Sequence, residues 1–169
     1  MKPMAIVVMG VAGSGKSTAG RLLAKRLKAS FVEGDQLHPA ANVEKMAAGM
    51  PLTDADRWPW LDAIGAEIRD RAARGEHVVA ACSALRKEYR DRLRETSGAE
   101  VLFVYLSGSR ELIGGRIGRR KGHFFPAALL DSQFEALEPP QQGERHVVAD
   151  LRLPLGRMVA NAVRAIRAA

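Results

Sequence analysis

The apolar positions of this chain fall into two alternating patterns. Short unbroken runs read as strands: Ala5 to Met9, His77 to Cys82 (HVVAAC) and Val101 to Leu106 (VLFVYL). Phe31 and Val32 form a shorter strand ending at Glu33-Gly34-Asp35, and His146 to Ala149 is the last. The stretches between them repeat at helical spacing. Lys16 to Leu27 carries Leu22, Leu23 and Leu27 on one face and Arg21, Lys25 and Arg26 off it. A helical stretch from Ala40 to Ala48 stops at Gly49 and Pro51, and another runs from about Pro59 to Arg74 with Leu61, Ile64 and Ile68 inward. Leu85 to Glu95, Ser109 to Arg119 and Pro126 to Leu137 are also helical. Leu155, Met158, Val159, Ala162, Val163 and Ile166 mark the buried stripe of a C-terminal helix. Because the strands are continuous rather than alternating, both of their faces are expected to be covered. The pattern predicts an α/β fold, a five-stranded parallel sheet with helices on both faces, in a single domain over 1–169. Ligands of such sheets bind at the carboxyl ends of the strands.

Composition narrows the picture. The chain has 169 residues, 47% apolar and 27% charged, which excludes a disordered tail or a fibre. No apolar run approaches the roughly 20 residues that cross a bilayer, so no membrane partner is expected. The N-terminal stretch MKPMAIVVMGVAG is broken by Gly10, Gly13, Gly15 and Lys16, and reads as a strand entering a turn rather than a signal peptide. Cys82 is the one cysteine, so no internal disulfide forms and the cytosol is the expected compartment. A net charge of +7 points to anionic ligands.

The chemistry concentrates after the first strand. Gly10-Val11-Ala12-Gly13-Ser14-Gly15-Lys16-Ser17 fits G-x-x-x-x-G-K-[ST], with a strand before it and a helix after it. The glycines let the backbone curl so that N–H groups, those of Ala12, Gly13 and Ser14 among them, point inward at phosphate. The helix N-terminus adds a positive dipole end. Lys16 reaches the outer phosphates and the Ser17 hydroxyl ligates Mg²⁺, with Thr18 a possible α-phosphate contact. This implies ATP binding and phosphoryl transfer in a three-layer P-loop kinase fold.

The acceptor is read from weaker signals. Asp35, after the second strand, either orients a substrate hydroxyl for in-line attack or caps the next helix. Glu33 could hold an Mg²⁺-bound water. His38 could donate to an anion, although a lone loop histidine is more often simply exposed. Arg57 offers a fork suited to a carboxylate, or balances Asp54 and Asp56. Cys82-Ser83-Ala84-Leu85 stands where a Walker B acid would close, yet no Asp is there, and Cys82 reads as a small buried hydrophobe. Arg116 to Phe125 (RIGRRKGHFF) is basic, then aromatic, and suits a mobile lid over about 116–127 that closes on the triphosphate. A nucleic-acid contact is the competing reading, but no RNA-binding motif accompanies the segment, so no nucleic-acid partner is expected.

Taken together, MGVAGSGKST, EGDQLHP, NVEKMAAGMPLTDADRWPWL, CSALRKEYRDRLR, RKGHFF and QFEALEPP resemble the small P-loop gluconokinases, relatives of shikimate kinase, in order from about Val7 to Pro140. One departure is Arg86, where that family's pattern usually has Lys. The resemblance implies ATP-dependent phosphorylation of D-gluconate to 6-phosphogluconate, a nucleoside-monophosphate-kinase-like fold with a mobile lid, and a homodimer. It implies that Asp35 contacts the gluconate hydroxyls and acts as base. His38, Arg57, Lys87 and Arg90 become candidates for the acceptor's carboxylate and hydroxyls. Arg120, helped by Arg116, would bear on the phosphates from the lid. Gln133-Phe134-Glu135 would support lid closure, and Pro154-Leu155 would border the adenine. A kinase for another small hydroxy acid, such as shikimate or a different aldonate, is the nearest alternative.

Overall fold

The computed structural model describes residues 2–119 and 127–169. Strands β1 (Ala5–Met9), β2 (Ser30–Glu33), β3 (Val78–Ala81), β4 (Leu102–Ser107) and β5 (His146–Asp150) form one parallel sheet in the order β2-β3-β1-β4-β5. The register sets Val7 beside Ala80 on one side and Phe103 on the other. The helices are α1 (Lys16–Leu27), α2 (Ala40–Ala47), α3 (Asp54–Ala73), α4 (Lys87–Ser97), α5 (Arg110–Arg119), α6 (Ala127–Ala136) and α7 (Leu155–Ala168).

Strand β1 shows why the unbroken apolar runs arise. Ile6 and Val8 pack into one core with Leu23 of α1 and Met158 of α7. Ala5, Val7 and Met9 pack into the other with Leu61, Ile64 and Ile68 of α3 and Leu93 of α4. Side chains alternate between faces, and both faces are covered by helices, so every position must be apolar. This holds for the central strands but not for the edges. Val148 of β5 is 58% exposed, because an edge strand has one neighbour instead of two.

One helix boundary and one position of the C-terminal stripe differ from expectation. Helix α3 begins at Asp54, well before Pro59. Thr53 caps it: its hydroxyl accepts the Asp56 N–H at 3.2 Å, and the Asp56 carboxylate accepts the Thr53 N–H at 2.8 Å. This reciprocal box satisfies two orphan donors, and it outweighs the single ladder bond that Pro59 cannot make inside the helix. In α7, Met158, Val159, Ala162, Val163 and Ile166 are buried as the stripe requires, but Leu155 is 40% exposed. Leu155 occupies the first helical position and lines a cavity beside α1 instead of the core. Of the proposed lid, Arg116 to Arg119 belong to the end of α5 and Ala127 opens α6. Residues 120–126, with Arg120, lie outside the described residues.

Candidate active site

At the carboxyl edge of the sheet, the chain between β1 and α1 curls around a cavity of about 250 Å³. Ala12, Gly13, Gly15, Lys16, Ser17, Thr18 and Asp35 line it. The curl is tied down on both sides. The Gly10 N–H donates to Ser83 C=O at 3.2 Å, and the Ser14 N–H to Val11 C=O at 3.2 Å. Gly13 must be glycine twice over: its φ is +78°, and a methyl there would come within 2.4 Å of Ile117 on α5.

The side chains in the cavity are poised for an anion and a cation. Lys16 is half-buried and its Nζ donates to Val11 C=O at 3.1 Å. Burial pulls its ammonium below the usual lysine range, while Asp35, Cys82 and Glu33 pull the other way. The Ser17 hydroxyl donates to Glu33 at 2.5 Å. Ser14 Oγ is buried without a hydrogen-bond partner among the described residues. Such an orphaned hydroxyl costs stability unless a ligand satisfies it. Burial pushes the Cys82 thiol up to about 12, in keeping with a packing role rather than a nucleophile.

Asp35 is not a helix cap. It lies inside a short 3₁₀ turn (Gly34–Leu37), and Pro39 holds the N-cap position of α2. Asp35 is exposed toward the phosphate cavity, and its carboxylate takes no hydrogen bond among the described residues. The turn is fixed from beneath. Trp60 Nε1 donates to Gly34 C=O at 2.8 Å, and a methyl on Gly34 would sit 2.2 Å from Ala81 C=O. Gly34→Ala must therefore push the turn off the end of β3. We expect turnover to fall on the order of tenfold to a hundredfold with nucleotide affinity unchanged, because small misplacements of a reacting group cost that much. Steady-state kinetics beside equilibrium nucleotide binding checks this.

His38 is not an exposed loop histidine. Its ring stacks on Trp60 with centroids 4.1 Å apart and planes 13° from parallel. The buried Asn42 amide fixes its tautomer. Asn42 Nδ2 donates to Asp56 C=O at 2.9 Å and stands 3.2 Å from His38 Nδ1. A carbonyl can only accept, so Nδ2 is the nitrogen, and its second hydrogen points at Nδ1. The neutral ring then carries its proton on Nε2. Burial lowers the His38 pKa, Arg57 lowers it further and Asp35 opposes, so the ring is neutral at pH 7. Arg57 lies over the Tyr89 ring at 5.3 Å and donates to its hydroxyl at 3.2 Å. Asp35, His38 and Arg57 thus form one electrostatic group beside the loop.

A second cavity of about 250 Å³ adjoins the first, sharing Gly15 and Thr18. Its walls are mostly apolar, with Leu151, Leu153, Pro154, Leu155 and Met158. A polar phosphate cradle beside an apolar shelf is the layout a nucleotide needs.

Comparison with known proteins agrees with this geometry. A family model described as an AAA domain matches residues 6–140. The thermosensitive gluconokinase of Escherichia coli (strain K12) is 45% identical over 163 residues, covering 96% of this chain and 85% of the relative. The chain belongs to the gluconokinase family. The gluconokinase of Gluconobacter oxydans (strain 621H) is 48% identical, covering 85% of this chain and 80% of its own. A crystal structure of a gluconokinase from Sinorhizobium meliloti 1021 superposes with a TM-score of 0.85 at 49% identity, over 95% of this chain and 90% of that one.

Within this family member, two expected substrate contacts stand elsewhere, and a third residue lines the nucleotide shelf away from the phosphates. Arg90 is fully buried. Its guanidinium meets the Glu144 carboxylate through Nε at 2.8 Å and Nη2 at 3.1 Å, and Nη1 meets the carbonyls of Ala84 and Leu85. With its donors so committed, it is a structural brace and not a substrate contact. Lys87 is half exposed and pairs with Asp91 at 2.9 Å on the outside of α4. It does not line the phosphate cavity. Arg116 donates to Leu151 C=O at the rim of the apolar shelf, so it faces the base side rather than the phosphates. Asn42, Trp60 and Glu144 were not foreseen as contributors. Asn42 carried one usable signal, since a polar residue between apolar and small neighbours in a short helix must find partners when buried.

Proposed function

We propose that this chain transfers the terminal phosphoryl group of Mg-ATP to the terminal hydroxyl of D-gluconate, giving 6-phosphogluconate and ADP. The observation that carries this reading is Asp35: an unpartnered carboxylate facing the same cavity as Lys16, with His38 and Arg57 beside it. A hydroxyl placed between Asp35 and the terminal phosphorus donates its hydrogen bond to the carboxylate. The oxygen attacks in line, the bond to ADP breaks, and the proton passes to Asp35. The transition state is loose, so orientation matters more than base strength. Lys16 leaves the Val11 carbonyl to neutralise the outer phosphates. His38 presents its Nε2–H as a neutral donor to an acceptor hydroxyl, and Arg57 supplies a cation for the carboxylate. Lys87 and Arg90 take no part.

Among the described residues, no cluster of three or more His, Cys, Asp or Glu is placed to hold a metal. A nucleotide-borne Mg²⁺ would fit this site, where the Ser17 hydroxyl and the Glu33 carboxylate beside it are the groups that would hold it. The metal would neutralise charge on the transferring phosphate. The reading also includes one kinase domain over 1–169 with a lid at about 116–127, Arg120 reaching the phosphates from it, a homodimer, and a reducing cytosolic setting for the lone thiol.

ADP release from Mg-ATP, followed with gluconate, other aldonates, shikimate and glycerate, tests the reading. Turnover should depend on gluconate. Asp35→Asn should lower kcat by roughly a hundredfold, within the range of general-base contributions, at unchanged ATP affinity. Preferred turnover of shikimate or another aldonate would replace the substrate and keep the kinase. Full activity in Asp35→Asn would remove Asp35 from the chemistry.

A further inference from the structure

The phosphate loop is not empty of acceptors in this structure. The Ala12 N–H, one of the loop donors that line the cavity, donates at 2.5 Å to the side-chain oxygen of Gln133. Gln133 lies 121 residues further along the chain, on α6. A carboxamide oxygen on a loop N–H occupies the place of a phosphate oxygen, without the charge. Such an N–H has one hydrogen, so glutamine and phosphate cannot both hold it well.

Helix α6 is anchored beyond Gln133. The Glu138 N–H donates to Leu85 C=O at 2.7 Å, and the Glu138 carboxylate accepts the Lys87 N–H at 3.0 Å. Leu130 is buried against the core, and the Leu137 N–H closes on Gln133 C=O at 3.0 Å. The Gln133 side chain is therefore presented to the loop by a helix that immediately follows the basic segment.

We propose that Gln133 is a latch that competes with nucleotide phosphate. It satisfies the Ala12 N–H while the loop is empty and surrenders it when a phosphate oxygen arrives, so that phosphate binding uncouples α6 from the loop. The proposal rests on reading the loop as a nucleotide cradle, and it is independent of which acceptor is phosphorylated. The latch satisfies a half-buried donor in the empty loop, and nucleotide must displace that hydrogen bond to enter.

The test measures equilibrium binding of Mg-ADP and of a non-hydrolysable Mg-ATP analogue without acceptor, beside the melting temperature with and without nucleotide. Gln133→Leu removes the competitor. Nucleotide should bind as tightly as in the wild type or up to roughly tenfold tighter, and the melting temperature should fall for the empty protein but not for the complex. Gln133→Glu puts a charged acceptor on the same N–H, near Lys16. It should raise the melting temperature of the empty protein and weaken nucleotide binding by about tenfold or more. A merely structural glutamine would not give opposite signs in the two measurements. Weaker binding by Gln133→Leu, or wild-type binding by Gln133→Glu, would overturn the latch. Failure of the wild type to bind nucleotide would instead overturn the reading of the loop itself.

Discussion

Lys16→Met should cripple gluconate-dependent ADP release, lowering kcat by on the order of a hundredfold to a thousandfold, while leaving the protein at least as stable as the wild type. The two halves come from the same fact. Lys16 is the cation among the residues lining the phosphate cavity, and Asp35 is the anion. Charge that develops on a transferring phosphoryl group must be met by a preorganised donor, and removing one such donor costs on the order of a hundredfold to a thousandfold. Lys16 is also half-buried, with a single backbone acceptor at 3.1 Å. Burial lowers its pKa, which means that folding disfavours its charged form. Methionine has nearly the same reach, no charge to desolvate, and a flexible stem that fills the slot. Loss of activity with no loss of melting temperature separates a functional charge from a structural one. Lys16→Arg should not rescue, because a planar guanidinium cannot follow the same buried path. Retained turnover in Lys16→Met, or a fall of many degrees in melting temperature, would contradict this account.

The sequence made the loop legible because its chemistry is local. Eight consecutive residues carry the glycines, the lysine and the hydroxyl, and the flanking strand and helix are visible in the apolar pattern. The five strands were legible for the same reason, with the edges as the exception: nothing in His146 to Ala149 says that Val148 faces outward. Asp35 was ambiguous because a cap and a substrate contact call for the same residue type. The 3₁₀ turn that separates them is set by Gly34 under Ala81 and by Trp60 across the chain. Arg90 was misjudged for a deeper reason. Family resemblance singles out an arginine, but whether its fork meets a substrate carboxylate or Glu144, 54 positions away, depends on tertiary packing. Charged side chains are almost never fully buried unless paired, so the expectation of an exposed, available arginine was the ordinary one. Gln133 was assigned only a general part in lid closure, since no local pattern announces a side chain that crosses to a loop 121 residues earlier.

The Arg90–Glu144 pair carries the second large effect, and the two halves of the pair should not be equivalent. Arg90 braces the β3–α4 connection through the carbonyls of Ala84 and Leu85. Ala84 has φ +44°, a left-handed conformation that costs a non-glycine residue on the order of 1–2 kcal/mol. Just before it, Ser83 C=O accepts the Gly10 N–H at the start of the phosphate loop, so the brace reaches the active site. Breaking a buried pair by removing one partner costs about 3–5 kcal/mol, because the other charge is stranded. Removing Arg90 leaves Glu144 with Arg94, whose Nη2 remains at 2.9 Å. Removing Glu144 leaves Arg90, fully buried, with backbone carbonyls alone and no means of losing its charge. Glu144→Ala should therefore be the more damaging, at the upper end of that range, and Arg90→Ala should lie at the lower end. At about 2–4 °C per kcal/mol for a chain of this size, the melting temperature of Glu144→Ala should fall by on the order of 10–15 °C. A joint Arg90→Met, Glu144→Leu variant should recover much of the loss, since an apolar pair strands no charge. The same pair sets the acid limit. Burial would raise the Glu144 pKa, but hydrogen bonds from Arg90, the Gln141 N–H and Arg94, with the charge of Arg90, outweigh it and hold the carboxyl at about 2. A carboxyl depressed on folding contributes stability that is full above its unfolded pKa, roughly 4.3, and is lost as the pH falls toward the folded value. Denaturant melts of the wild type should lose about 2 kcal/mol from this group between about pH 4.5 and pH 2, and Glu144→Gln should lack that component of the slope. Equal damage from the two alanine variants, or an unchanged acid slope in Glu144→Gln, would show that the brace does not hold the β3–α4 connection in the way the geometry requires.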